Sequence, residues 1–234
     1  MNARSRIPTV RVALLIAALC AALPIARSAD AQPRRTAAGA GDLLDRAVAA
    51  WARVRTVRAT FEQTLVNPLT GSTLHASGEY QQQRPGKLSV RFDDPATDRI
   101  VADGRQVWLY LPSTAPGQVI RRELGAGGTG TVDLTAQFLT SPRARFTVTE
   151  SAPVVVAGRA THGYVLVPRS REPGGFDRAV VQVDDRDATI RQFTVTERSG
   201  LQRTVRLTSF RANVPVQASA FVFTPPPGVR IVGG

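Results

Sequence analysis

The sequence predicts a mainly β chain with a few helices, an α+β protein whose strands form one antiparallel sheet long enough to curl into a barrel or half-barrel. Two observations predict it. Period-two alternation of apolar and polar residues recurs from Val57 almost to the C-terminus, broken by hairpin-like turns roughly every 8–12 residues. Helical periodicity is confined to two places, residues 42–54 and 133–139. About eleven strands follow from counting the alternating stretches.

The first 31 residues stand apart from that domain. Arg4, Arg6 and Arg11 precede an apolar run from Val12 to Ile25, and Ala29-Asp30-Ala31 has the small residues of a cleavage site, so residues 1–31 read as a secretory signal peptide. The run is short for a membrane span. Cleavage leaves 203 of the 234 residues and removes Cys20, the one cysteine, so the exported chain forms no disulfide. Leu19 before Cys20 is not the small residue that a lipoprotein signal needs. Losing four arginines and one aspartate takes the net charge from +12 to +9. A basic surface suits an anionic membrane or an acidic partner. The arginines are scattered along alternating strands, which argues against a nucleic-acid patch.

Residues 32–41 (QPRRTAAGAG) read as a flexible leader, and residues 42–234 as the folded domain. Asp42 is placed to cap a helix in which Leu43, Leu44, Ala47, Val48, Trp51 and Val54 recur at steps of three and four. Ala59, Phe61, Gln63 and Leu65 then alternate with polar neighbours, the turn Asn67–Gly71 follows, and Leu74–Gln82 returns. Next comes RPGKLSVRF. Leu88, Val90 and Phe92 share one face, and counting back in twos reaches Gly86 and Arg84. If the strand runs unbroken through Pro85, an arginine heads an apolar row and needs acceptors there.

The stretch Val107–Leu111 (VWLYL) is apolar on both faces, so something other than solvent covers its second face. Residues 125–130 (GAGGTG) lack the lysine and spacing of a phosphate loop and read as a flexible connection to the helical segment 133–139, ended by Ser141-Pro142. The last strand is expected at Phe221–Thr224.

Catalytic chemistry finds no support. His75 and His162 have no metal-ligand spacing, no nucleophile elbow is present, and Asp184-Asp185-Arg186-Asp187 reads as a solvated turn. Glu62 and Glu79 face each other in a plausible hairpin, without any tie to a substrate. Neither a cofactor nor a metal site is expected.

Taken in order, the amphipathic helix, Phe61-Glu62-Gln63, Gly78-Glu79-Tyr80, RPGKLSVRF with Pro95, IVADGRQVWLY and FVFTPPPGV resemble the periplasmic outer-membrane lipoprotein carriers of the LolA family over nearly the whole exported chain. The resemblance implies an eleven-stranded half-open barrel closed by a helical lid. It implies an apolar cavity lined by Phe61, Leu88, Val90, Phe92, Trp108 and Tyr110, and a lid carrying Leu134, Phe138 and Leu139. Arg84 matches the family arginine that hydrogen-bonds lid groups and holds the empty cavity shut. Implied partners are acylated lipoproteins as cargo, an inner-membrane lipoprotein-releasing ABC transporter and an outer-membrane receptor, served by a monomer in the periplasm. Leu88 and Val90 depart from the aromatic residues common in the family at those places. Other readings of the same resemblance are a carrier of another periplasmic lipid or glycolipid and an envelope-stress regulator.

Overall fold

The structure, a computed structural model, describes residues 38–124, 135–170 and 175–233. Residues 1–31, expected as a signal peptide, and Leu134, expected in the lid, lie outside the described residues. Helix α1 (Ala38–Ala52) starts four residues before the expected Asp42 cap, so residues 38–41 of the expected leader belong to it.

Two meanders follow α1. The first comprises β1 (Thr56–Val66), β2 (Thr73–Gln83), β3 (Lys87–Asp94), β4 (Arg99–Asp103), β5 (Gln106–Tyr110) and β6 (Gln118–Glu123). Two short helical turns, α2 (Ala136–Leu139) and α3 (Pro142–Arg145), precede the second. That meander runs through β7 (Phe146–Val156), β8 (Arg159–Pro168), β9 (Phe176–Asp184), β10 (Ile190–Glu197) and β11 (Gln202–Ala212). A 3-10 turn (Ala218–Phe221) and β12 (Arg230–Val232) end the chain. Helix α2 ends at Leu139, before Ser141-Pro142 as expected, and Pro142 then opens α3, because proline suits the first turn of a helix, where its missing N–H has no intrahelical partner to lose.

The antiparallel pairing of β1 with β11 joins the meanders into one open, curved, twelve-stranded sheet in the order β12-β6-β5-β4-β3-β2-β1-β11-β10-β9-β8-β7. The expectation of eleven antiparallel strands is corrected at the C-terminus. Residues 222–226 leave the 3-10 turn without pairing, and β12 adds a twelfth strand parallel to β6. No helix among the described residues is long and apolar enough to cross a membrane.

One face of the sheet carries the helices. Leu43, Leu44, Ala47 and Trp51 of α1 pack with Phe138 and Leu139 of α2 onto Val57, Ala59 and Phe61 of β1, Leu88 and Val90 of β3, and Val181 and Phe193 of the second meander. Phe138 is fully buried and its ring lies 5.1 Å from Phe193 and 6.0 Å from Phe176. Burying one such large apolar side chain stabilises by about 2–3 kcal/mol, so these contacts, rather than the helical propensity of a four-residue turn, hold α2 in place.

Gly78 aligns with Phe61 on one side and Phe92 on the other. Lacking a side chain, it lets the two rings meet edge to face at 5.5 Å. A Cβ there would sit 2.2 Å from the Arg91 carbonyl oxygen.

The turn between β9 and β10 is not the solvated loop expected of DDRD. Asp184 is 1% exposed and accepts hydrogen bonds from Arg159 Nε, from Arg191 Nε at 3.0 Å and from the Arg186 backbone N–H at 2.9 Å. Asp187 accepts from both guanidiniums as well. Burial works against the charged form of Asp184, yet the bonds from Arg159, the Arg186 backbone and Arg191 outweigh it and hold the carboxyl below its ordinary 3.8. The pair Glu62 and Glu79 is not directly opposed: Glu62 aligns with Ser77 and Glu79 with Thr60. Each meets an arginine, Glu79 with Arg91 at 3.2 Å and Glu62 with Arg206 at 3.8 Å.

Two outcomes are expected. Gly78→Ala should cost about 1–3 kcal/mol in urea unfolding, because the Arg91 backbone must move away. Asp184→Asn should cost about 2–3 kcal/mol, since it leaves the 7%-exposed Arg191 with only Asp187 opposite it. Because the folded-state value of Asp184 is depressed, its contribution is complete at neutral pH. It is lost as the pH falls from 3.8 through the lower folded value, and a stability–pH curve of the asparagine variant should lack that step.

Candidate functional site

The helix-bearing face is an apolar floor read off strand register. Leu88 aligns with Ala102 and Val107, and Val90 with Ile100 and Leu109, so these residues share one face with Phe92. Leu88 and Val90 are buried, whereas Phe92, Ile100 and Val107 are half-buried against the core. Phe61 joins them through its contact with Phe92. Of the six residues expected to line a cavity, the structure therefore brings four together: Phe61, Leu88, Val90 and Phe92.

Trp108 and Tyr110 point the other way. Trp108 aligns with Val101 and Arg121 on the outer face, and both rings pack on Phe223, at 5.8 and 5.9 Å. The second cover inferred for β5 is thus the C-terminal segment, not the helical lid. It closes a separate apolar layer over Val101, Val119 and Phe221, all buried. Composition alone shows that both faces of β5 are covered. Which face belongs to which cover depends on register, and the register assigns Val107 and Leu109 to the cavity side in place of the two aromatics.

Above the floor, α1 contacts α2 and β9, and Phe138 of α2 meets Phe176 of β9 and Phe193 of β10. Phe138 and Leu139, expected as lid residues, are buried side chains of α2. Between α1, α2 and the β9–β10 turn lies a cleft of about 230 Å³ whose apolar wall includes Ala47, Trp51, Val54, Leu139, Ile190 and Phe210. Ligand pockets for drug-sized molecules occupy about 300–1,000 Å³. As it stands the cleft is smaller than such a pocket.

Arg84 does not extend the β3 row. Residues 84–86 form the turn between β2 and β3, which places Arg84 beside the C-terminal end of α1. Its Nη1 donates to the carbonyl oxygens of Trp51 at 2.9 Å and Val54 at 3.2 Å, and its backbone N–H donates to the Arg55 carbonyl at 2.8 Å. The guanidinium also lies 5.4 Å from the centre of the Trp51 ring. The last carbonyls of a helix have no intrahelical donors and carry the negative end of its dipole, so a guanidinium is a suitable cap. Among the acceptors that the sequence demanded are the carbonyls of Trp51, in the last turn of α1, and of Val54, just beyond it. Two further contacts tie α1 down: Arg46 Nη2 donates to the Arg186 carbonyl at 3.5 Å, and Asp45 pairs with Arg143 of α3 at 3.2 Å. Both are exposed and contribute little.

Polar groups also interrupt the floor. Tyr80 and Gln82, both buried, lie beside Val90 and Leu88 in register, and the Tyr80 hydroxyl donates to Gln82 Oε1 at 2.8 Å. Sequence reading missed them, although the same period-two count that found Leu88 reaches both. Among the described residues no group of His, Cys, Asp and Glu is arranged to hold a metal ion.

The chain resembles known proteins along most of its length. An outer-membrane lipoprotein carrier protein of Methylibium petroleiphilum is 28% identical over 200 residues, covering 84% of this chain and 93% of that protein. A carrier of the same description from Serratia proteamaculans is 26% identical over 180 residues, 77% and 82% of the two chains. Among solved structures, an uncharacterized conserved protein of Thermus thermophilus shares the fold with a TM-score of 0.51 at 13% identity, covering 82% of this chain and 98% of that one. Residues 52–224 match the model of the family described as outer membrane lipoprotein carrier protein LolA, and the chain belongs to that family.

Proposed function

We propose that this protein is a periplasmic carrier that binds the acyl chains of lipoproteins between its helices and the apolar floor. It takes them from an inner-membrane ABC transporter and releases them to a receptor at the outer membrane. The observation that carries this reading is the attachment of α1. A fully apolar cover would be held by burial alone, but the C-terminal end of α1 is fixed through Arg84 and backbone carbonyls. Such bonds break and re-form without loss of the hydrophobic floor.

Reversibility requires that gradation. Each buried CH₂ stabilises the bound lipid by about 0.8 kcal/mol, so enclosing several long chains in a rigid apolar box would prevent release. In the closed form, Leu44 and Phe138 occupy the space over the floor. Cargo has to displace side chains that are themselves well buried, and that competition lowers its net affinity to a level a receptor can overcome. The aliphatic Leu88 and Val90 make the floor smooth for alkyl chains. The signal peptide, residues 1–31, delivers the carrier to the periplasm, and residues 42–234 act as its lipid-binding domain.

The direct test is to load the purified protein with acylated and unacylated forms of one lipoprotein; retention of the acylated form alone is the expected result, and equal retention refutes acyl recognition. Arg84→Leu should weaken the closed form by about 2 kcal/mol, the value of hydrogen bonds to a charged donor, and so speed amide exchange in α1 roughly 30-fold while slowing transfer to the receptor. If neither exchange nor transfer changes, Arg84 is not a latch.

A further inference from the structure

We infer that the indole N–H of Trp51 is the polar anchor of the lipid site, donating a hydrogen bond to the ester carbonyl that heads a bound acyl chain. This rests on the carrier reading and deepens it by naming the ligand group that the site recognises. Trp51 is 6% exposed, and its Nε1 is buried without any hydrogen-bond partner, the one such side-chain atom found among the described residues. Native folds rarely leave a buried donor unsatisfied, because the group gives up its water and receives nothing back. A phenylalanine would fill the same place in an apolar contact without that cost. That cost disappears in any state of the protein that offers the nitrogen an acceptor.

The surroundings indicate which state. Trp51 lines the 230 Å³ cleft, and its neighbours there include Ala47, Val54, Leu139 and Ile190. Trp51 also sits at the end of α1 that Arg84 holds, with the guanidinium against its ring and its own carbonyl as an acceptor. On the carrier reading a shift of α1 enlarges this cleft to take an acyl chain, and the same shift opens the surroundings of the indole. In the closed form the Arg84 bonds favour closure and the unsatisfied N–H opposes it. In the loaded form an acceptor on the ligand removes the opposing contribution.

The chemistry of the wall selects that acceptor. Arg53, Asp187 and Asn213 of the lining are exposed at the rim, and the Arg84 guanidinium is engaged by the Trp51 and Val54 carbonyls, so a phosphate or carboxylate at the buried indole would exchange its hydration for one neutral donor. An ester carbonyl carries no charge and stands where the polar head of an acylated lipid meets its alkyl chain. It reaches the indole while the chain follows the apolar floor. An alkyl chain joined through an ether has the same length and apolar area but a much poorer acceptor, so the site should distinguish the two.

The probes are a dipalmitoyl-S-glycerylcysteinyl peptide and its di-O-hexadecyl counterpart, each carrying a fluorophore at the peptide C-terminus, with binding to the full folded protein followed by anisotropy. The wild-type protein should bind the ester about tenfold more tightly than the ether, the gain expected from satisfying one buried donor. Trp51→Phe should bind both with the affinity of the ether. The inference is overturned if the wild type shows no preference, if the variant keeps the preference, or if the variant weakens both probes alike, which is the mark of a packing role. Should the variant not fold, the wild-type comparison decides by itself. Binding of neither probe by the wild type refutes the carrier reading together with this anchor, whereas equal binding of both refutes the anchor alone.

Discussion

An open sheet of twelve strands has an apolar face that it cannot bury by closing on itself, and covering that face is the constraint from which the rest follows. A closed barrel would satisfy its own edges and interior. This sheet leaves the work to helix α1 and to α2, an element of only four residues. Neither is stable alone, so each takes its stability from the floor and lends it back. The outer face near β5 is treated differently, sealed by Phe221 and Phe223 of a segment that β12 fastens to the edge of the sheet.

The attachments of α1 divide into firm and adjustable ones. Burial of Leu43, Leu44 and Ala47 supplies the bulk of the adhesion, and it acts wherever apolar surface is met. Direction comes from Arg84, whose donors require particular carbonyls at particular distances. Trp51 is common to both: its ring is part of the apolar cover, its carbonyl receives Arg84, and its N–H is left unsatisfied. A single residue thus contributes to holding the helix down and to the cost of holding it there. Across the cleft, Asp184 and Asp187 pair with Arg159 and Arg191 and tie the β9–β10 turn to β8 and β10.

The sequence was most legible where period decides the outcome. Alternation located the strands, and the three-and-four spacing from Leu43 to Trp51 located the buried stripe of α1. It also singled out Arg84 as a charge in need of acceptors. It was least legible where a long-range partner decides. Nothing local says that Asp184 of an apparently solvent-facing DDRD turn is buried, because the arginines that neutralise it come from the starts of β8 and β10. Trp108 and Tyr110 fall under a different cover from the one expected for a similar reason. VWLYL is apolar on both sides, so only the alignment of Val101 with Trp108 reveals which side faces the helices.

By itself, the sequence determined a mainly β chain with an amphipathic helix in front, an apolar row through Leu88, Val90 and Phe92, and an arginine whose charge demanded partners. These are consequences of residue type and spacing, which are local. Only the tertiary structure decided that Arg84 lies in a turn and caps α1, that the C-terminal segment rather than a helix covers Trp108 and Tyr110, and that the Trp51 N–H is buried without an acceptor. Each of these depends on atoms brought together from distant parts of the chain, where the requirement for a hydrogen-bond partner or an apolar neighbour is met, or left unmet, by geometry alone.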